Sequence, residues 1–154
     1  YIMISQYKFT GQITISNDSK KRINIPAPLR KQFLTKDKKT FVVTRGIDQC
    51  AWIYPINEWN FIQNELNQLS SLSKTNRIFL RNHLRHANIL KFDSQGRFVL
   101  PQSLIDYSSI KKDVTIIGVL NKIEIWNPNL LRKIDKSDEI DDQSYEELSE
   151  RVNI

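Results

Sequence analysis

The stretch DSKKRINIP at residues 18–26 occurs a second time, as DSQGRFVLP at residues 93–101. Asp, Ser, Arg and Pro fall in register at a separation of 75 residues, and the stretch that begins at Gly46 returns at Gly118. A repeat of this size indicates one supersecondary unit used twice. Two such units usually bury their apolar faces against each other, so we expect one folded body made of two similar halves.

Both copies predict the same order of elements: strand, turn, strand, short helix, strand, strand. Apolar and polar residues alternate over residues 9–15, as in a half-buried strand. The cluster of Ser, Asn and Asp at residues 16–19 favours a turn, and Pro26 closes the next strand. The strands predicted after these lie at residues 22–25, 41–43, 52–54, 87–92, 97–100, 114–119 and 123–126.

The chain divides into four predicted segments. The first repeat covers residues 7–54, two connecting helices cover 55–86, and the second repeat covers 87–134. Residues 135–154 are acidic and poor in apolar side chains, which predicts a flexible segment with one short helix capped by Ser144.

The charge of the chain is unevenly distributed. Residues 135–154 hold eight acidic and two basic residues, whereas residues 1–134 hold 21 basic and nine acidic residues. A body this basic attracts polyanions, with nucleic acid the first candidate and an anionic membrane surface the second. We expect no membrane span and no signal peptide, because no apolar run is long enough. Cys50 is alone, which favours a reducing cytoplasm over a disulfide-bonded protein.

The basic residues concentrate in the first copy of the repeat. Residues 18–39 contain eight basic and two acidic residues, but residues 93–112 contain three basic and two acidic residues. A purely structural repeat has no need of this difference. The first copy is therefore predicted to carry the binding function.

The turn at residues 18–22 is the first candidate site for nucleic acid. A two-stranded ribbon fits the major groove of B-DNA, where Arg22 can bond the O6 and N7 atoms of guanine. Lys20 and Lys21 would contact phosphates and add affinity that depends on salt. The alternative is an ordinary solvated hairpin, and the charge pattern alone does not separate the two interpretations.

A second basic cluster lies in the predicted connecting helices. Arg77, Arg81 and Arg85 recur every four residues, which places them on one helix face, opposite Ile78 and Phe79. Such a stripe is more often the solvated side of a helix. We expect it to bind DNA only if it shares a surface with the Lys20–Arg22 turn.

The polar residues that suggest catalysis have simpler interpretations. Asp18 and Asp93 each open a turn, where a carboxylate caps backbone N–H groups. His83 and His86 have no ligand-type neighbours at metal spacing, and Cys50 lacks an activating base. We therefore expect that the chain is not an enzyme and that it binds no metal, no cofactor and no small-molecule substrate.

These motifs together resemble the MraZ family of the SpoVT/AbrB-like superfamily. The resemblance rests on the pattern Asp-x-x-Gly-Arg followed by Ile/Leu-Pro and a short helix, present twice with Lys21 in place of Gly in the first copy, and it covers residues 7 to 126. It is supported by TRGIDQC at 44–50, IYPINEW at 53–59, His86-Ala87 and IEIW at 123–126.

The resemblance implies a fold, a function and an assembly. The fold is α+β, mainly β: a swapped-hairpin, AbrB-like, double-split β-barrel formed by two internal repeats with short helices. The function is that of a cytoplasmic, nucleoid-associated bacterial regulator of transcription, acting on the division and cell-wall gene cluster. Such a regulator binds short direct repeats of double-stranded DNA in its own promoter. It acts as a ring-shaped homo-oligomer and has no membrane as a partner.

The resemblance also assigns roles to individual residues. Arg22 stands where the family places a DNA-contacting arginine, and Lys20 matches a basic position before it. Lys21 departs from the family pattern, which has Gly there, so either the turn differs or Lys21 accepts strain of about 1 kcal/mol. Further DNA-binding candidates are Arg30 and Lys31 of the first copy and the helical Arg77, Arg81 and Arg85.

A different class of function remains open. AbrB-type hairpins also serve as protein–protein assembly modules or antitoxins without specific DNA readout. Two units and a short acidic segment favour the regulator, because a separate antitoxin usually has one unit and a long partner-binding tail.

Overall fold

The computed structural model describes residues 4–19 and 21–152. Its eight strands are β1 (Gln12–Ser16), β2 (Arg22–Asn24), β3 (Thr40–Arg45), β4 (Ala51–Pro55), β5 (Asn88–Lys91), β6 (Arg97–Val99), β7 (Asp113–Val119) and β8 (Lys122–Trp126). Its six α-helices are α1 (Ala27–Arg30), α2 (Ile56–Leu66), α3 (Lys74–Leu84), α4 (Gln102–Ser108), α5 (Pro128–Ser137) and α6 (Asp142–Val152), with a 3-10 turn at Thr35–Asp37.

The strands form one six-stranded antiparallel sheet and one two-stranded ribbon. The sheet runs in the order β1-β7-β8-β4-β3-β5, and the ribbon pairs β2 with β6. The predicted α+β, mainly β fold with two repeats is confirmed. Among the described strands the sheet stays open, with β1 and β5 at its two ends, and is not closed into a barrel by hydrogen bonds.

The first hairpin of each copy is exchanged with the other copy. β1 of the first copy pairs with β7 of the second, with Thr14 opposite Thr115. In the same way β5 of the second copy pairs with β3 of the first. The ribbon joins the second strand of each hairpin. Neither copy therefore completes its sheet alone, which explains why the repeat unit occurs as a pair.

The main core lies between the sheet and the ribbon. Ile23 of β2 and Phe98 of β6 are buried on this side, and the ring of Phe98 lies 5.0 Å from that of Phe41 on β3. Phe92 stacks against Phe41 at 4.4 Å. Burying each such side chain contributes about 1.5–3 kcal/mol, so the ribbon is anchored by its two inward side chains.

Helices α2 and α3 cover the opposite face of the sheet. Val42 and Tyr54 point to this side and contact Trp59, which anchors α2 to the sheet. The rings of Trp59 and Tyr54 lie 5.7 Å apart. His83 of α3 is buried here, and the Thr44 hydroxyl donates to the His83 carbonyl at 2.6 Å. The ribbon and helix α3 therefore lie on opposite sides of the sheet.

A buried carboxylate ties three distant segments together near the 3-10 turn. Asp37 accepts hydrogen bonds from the Tyr7 hydroxyl at 2.7 Å and from the Asn57 side-chain amide at 2.7 Å. It also accepts from the Leu34 N–H at 3.0 Å. Burial, followed by the neighbouring Asp37, raises the pKa of Tyr7, so the phenol stays a hydrogen-bond donor.

The acidic segment contains more helix than its composition predicts. Helix α6 runs over Asp142–Val152, and the Asp141 carboxylate accepts from the Ser144 N–H at 2.7 Å. The prediction that Ser144 caps this helix is wrong, because Ser144 lies inside the first turn and Asp141 precedes it. No side chain of α6 is buried.

Candidate nucleic-acid interface

The ribbon presents one apolar face and one polar face. Its antiparallel register sets Arg22 opposite Val99, Ile23 opposite Phe98 and Asn24 opposite Arg97. Because neighbouring side chains of a strand point to opposite sides, Ile23 and Phe98 enter the core. Arg22, Asn24, Arg97 and Val99 therefore share the outer face.

Reciprocal hydrogen bonds hold the two turns against the ribbon. The Leu100 N–H donates to the Lys21 carbonyl at 2.7 Å, and the Ile25 N–H donates to the Gly96 carbonyl at 3.1 Å. These bonds are equivalent under the 75-residue repeat. The two copies thus meet at the ribbon with nearly two-fold symmetric backbones.

Both motif arginines lie within reach of one carboxylate. Arg22 Nη1 is 3.3 Å from Asp18 Oδ2, and Arg97 Nη1 is 3.8 Å from the same oxygen. Arg97 Nε also lies 3.4 Å from Asp93 Oδ2. Asp18 and Asp93 are about half exposed, so these pairs contribute roughly 0–1 kcal/mol each. The arginines are oriented by the carboxylates but can exchange them for another anion.

The two aspartates stabilise their turns differently. Asp93 Oδ1 accepts from the Gln95 N–H at 2.8 Å and from the Arg97 N–H at 2.9 Å. The Arg97 N–H bond, together with the weaker influence of Gln95 and the Arg97 charge, lowers the pKa of Asp93. The predicted capping role is confirmed for Asp93. In the first turn the Arg22 N–H donates instead to the Ser19 hydroxyl, at 3.3 Å.

A groove of about 460 Å³ runs beside the outer face of the ribbon. Its walls include Ile13 and Ile15 of β1, and both motif arginines line it. Asn17 fixes the position of β1, because its Oδ1 accepts from the Asn24 N–H at 3.0 Å. The arginines are therefore displayed on a rigid two-stranded edge and not on a free loop.

The other predicted residues of the first copy differ in how far their side chains are exposed to solvent. Lys20 lies outside the described residues. Lys21 and Lys31 are exposed. Arg30 is half-buried, and its Nε donates to the Ile25 carbonyl at 2.7 Å.

Arg30 packs against the turn of the second copy. Gly96 has φ +81°, a conformation that glycine adopts readily. A Cβ at Gly96 would lie 2.2 Å from Arg30 Nε, so the missing side chain makes room for the arginine. Arg30 thereby positions the second turn, a role that the sequence does not indicate.

Arg77 and Arg81 lie on helix α3 and Arg85 directly follows it, so the stripe is on the side of the sheet away from the ribbon. Arg77 Nη1 donates to the carbonyls of Ser71 and Leu72 at 2.8 and 3.1 Å. Ile78, predicted to lie opposite the stripe, is 43% exposed beside it. The stripe does not share a surface with the Lys20–Arg22 turn, the condition under which the sequence predicts DNA binding.

The structure adds Arg97 to the candidate residues of this site. The weak charge of the second copy suggests a neutral half, but the ribbon register brings Arg97 to the same face as Arg22. The signal that points to Arg97 is the repeat itself, since an arginine stands at the fifth position of both copies. Arg97 shares a face with Arg22 because β2 pairs with β6 in antiparallel register. The sequence does not specify this pairing.

Of the other side chains with reactive groups, Cys50 and His83 are buried and His86 is half-buried. Burial, followed by Glu124 and Asp48, raises the pKa of the Cys50 thiol. Burial lowers the pKa of His83, whose ring stacks on Phe79 at 5.8 Å. Within residues 4–19 and 21–152, no group of three His, Cys, Asp or Glu side chains is arranged to hold a metal ion. In the same ranges, no helix has the length and apolarity to cross a membrane.

Comparison with known proteins agrees with this two-copy architecture. A family model described as "MraZ protein, putative antitoxin-like" matches the chain twice, at residues 9–82 and 83–152. A protein of Natranaerobius thermophilus is 38% identical over 144 residues, covering 94% of this chain and 96% of the relative. A protein of Clostridium botulinum is 39% identical over 145 residues, with the same coverage. Both relatives are named "Transcriptional regulator MraZ". The chain belongs to the MraZ family.

Proposed function

We propose that this chain is a regulator of transcription that binds double-stranded DNA through the outer face of the β2–β6 ribbon. The observation that carries the proposal is the presence of Arg22 and Arg97 on one exposed face, where both lie near exposed carboxylates. A two-stranded ribbon has the width to enter the major groove. The name of the relatives supports a role in transcription.

Each polar side chain of the outer face has a matching group on DNA. Arg22 and Arg97 bond guanine O6 and N7, and Asn24 is suited to adenine N6 and N7. Lys20, Lys21 and Lys31 contact phosphates on the side of the first copy. Asp18 is displaced from the arginines as DNA enters. Arg30 contributes indirectly, by positioning the second turn.

The difference in charge between the copies gives the nearly symmetric ribbon a direction. A site with two-fold symmetric backbone but lysines on one side distinguishes the two ends of its target. Subunits arranged head to tail would present these ribbons in one orientation, as direct repeats in DNA require. A ring-shaped homo-oligomer satisfies this condition, and linked ribbons gain avidity without new contacts.

The target and setting are proposed from the resemblance to the family. The proposed target is a set of short direct repeats in the promoter of the chain's own gene, within the division and cell-wall gene cluster. The proposed location is the cytoplasm, in association with the nucleoid. The proposed activity is non-enzymatic and requires no cofactor.

A second candidate function is an AbrB-type assembly or antitoxin module without specific DNA readout. The exposed apolar side chains of α6, described below, favour it because they suit a protein partner.

A titration separates the two candidates. The full chain is titrated onto the duplex upstream of its own gene and onto an unrelated duplex of equal length, each at two salt concentrations. The regulator proposal expects preference for the upstream duplex at both salt concentrations. Equal binding to both duplexes, or none, would contradict the proposal and leave the assembly module as the better account.

A further inference from the structure

Helix α6 carries an apolar stripe that nothing covers in the described chain. Tyr145, Leu148 and Val152 recur at helical spacing and are 64%, 50% and 61% exposed. Residues spaced in this way lie on one face of a helix. An amphipathic helix gains most of its stability from packing that face against a partner, so the stripe indicates a missing contact.

An acidic stripe runs beside the apolar one. Asp142, Glu146 and Glu150 follow each other every four residues along α6. Like charges at this spacing repel each other, which makes the stripe unfavourable in an isolated helix. A partner with the opposite charges would remove this repulsion.

Helix α3 has the complementary pattern. Arg77, Arg81 and Arg85 also follow each other every four residues, and they form no ion pair with a carboxylate in the described part of the chain. Ile78 and Leu84 flank this stripe and are 43% and 40% exposed. The two helices therefore match in charge sign, in charge spacing and in exposed apolar side chains.

The two helices also hold equivalent places in the repeats. Each has 11 residues, about 16 Å at 1.5 Å per residue. The family match at 9–82 ends within α3, and the match at 83–152 ends with α6, so each helix is the last one of its repeat. A contact between these two different surfaces of identical chains is heterologous, the kind that produces rings or filaments.

We infer that α6 of one subunit docks on α3 of the next copy of this chain. The apolar side chains of α6 pack beside Ile78 and Leu84, and the acidic stripe of α6 faces the arginine stripe of α3. This inference rests on the self-association included in the proposed function and names the surfaces that form it. It gives Arg77, Arg81 and Arg85 a role on the side of the sheet away from the ribbon.

A charge exchange between two chains tests the contact. One full-length variant carries Arg81→Glu and Arg85→Glu, and a second carries Glu146→Lys and Glu150→Lys. The mass of the wild type, of each variant and of their equimolar mixture is measured by light scattering, without DNA. Each variant alone should lose the wild-type mass, since like charges face each other. The mixture should regain it, because every contact then joins opposite charges.

The control variant is Lys111→Glu with Lys112→Glu, which makes the same change in charge on exposed residues outside both helices. It should keep the wild-type mass. A wild type that stays a single chain would overturn the inference, as would variants that assemble like the wild type.

A mixture that fails to regain the mass would show that the two charged stripes do not face each other between subunits, and would equally overturn the inference. Arginine variants that keep the wild-type mass but lose DNA affinity would assign the α3 stripe to DNA. Because mass is measured without DNA, failure here is distinct from failure of the proposed function, which shows as absence of preference for the upstream duplex.

Discussion

At the scale of single residues, the outer face of the ribbon depends on side chains that the sequence presents far apart. Arg22 and Arg97 are 75 positions apart, but both lie within 4 Å of Asp18 Oδ2. The repeat predicts that their local environments are similar. It does not predict that they are neighbours, because proximity depends on which strands pair.

Arg30 illustrates the limit of charge as a signal. It is one of eight basic residues in the cluster at 18–39, and nothing in the sequence separates it from the exposed Lys31. The structure uses its guanidinium to cover Gly96 and to bond the Ile25 carbonyl. Sequence patterns identify a basic region but do not show which of its members support the backbone.

Gly96→Ala should lower the free energy of unfolding by about 1–2 kcal/mol, because alanine is strained at positive φ. The added Cβ should also displace Arg30, so the loss should be smaller in an Arg30→Ala background. Urea unfolding of the four chains measures both effects. Ser94→Ala, in the same turn, is the control and should unfold like the wild type. A Gly96→Ala chain as stable as the wild type would contradict the described turn.

At the scale of elements, the sequence predicts the strands and the turns. The periodicity of residues 9–15 and the position of Pro26 are local signals, which explains their success. The exchange of hairpins between the copies is implied by the family resemblance, but it has no local signal in the sequence. β1 pairs with β7, whose residues lie about a hundred positions later. This pairing forms when the whole chain folds, because it joins residues that are distant in the sequence.

The buried Asp37 makes a second element-scale prediction. Asp37→Ala should lower the free energy of unfolding by about 2–4 kcal/mol, because the Tyr7 hydroxyl and the Asn57 amide would lose a buried acceptor. Chemical denaturation gives the value. Asp48→Ala, at an exposed position, should change it little. A loss below about 0.5 kcal/mol at Asp37 would mean that the three segments are not held by this carboxylate.

At the scale of the whole molecule, the uneven distribution of acidic and basic residues along the chain corresponds to two helices of opposite charge. Residues 135–154 appear in the composition as an acidic tail, but they contain a helix whose acidic stripe matches the basic stripe of α3. The sequence shows both charge runs. It does not show that they are equivalent helices, because α3 and α6 share the repeat position and not the sequence.

Assembly should control how the chain responds to repeated DNA sites. The wild type should bind a duplex with several upstream repeats at least about tenfold more tightly than a duplex with one repeat, through avidity. The Arg81→Glu, Arg85→Glu variant should lose this gain. Its affinity for a single repeat should change little, since its ribbon is intact. Fluorescence anisotropy with both duplexes measures the two affinities. A variant that retains the full gain in affinity would show that avidity does not depend on the α3 surface.

The most direct test of the account is the affinity of ribbon variants for the upstream duplex at one fixed salt concentration. We expect Arg22→Ala and Arg97→Ala each to cost about 1–3 kcal/mol of binding free energy while the fold stays intact by circular dichroism. Arg132→Ala, at an exposed position of helix α5 outside the ribbon, should bind like the wild type. If both ribbon variants bind like the wild type, the outer face of the ribbon does not read DNA and the central claim is wrong.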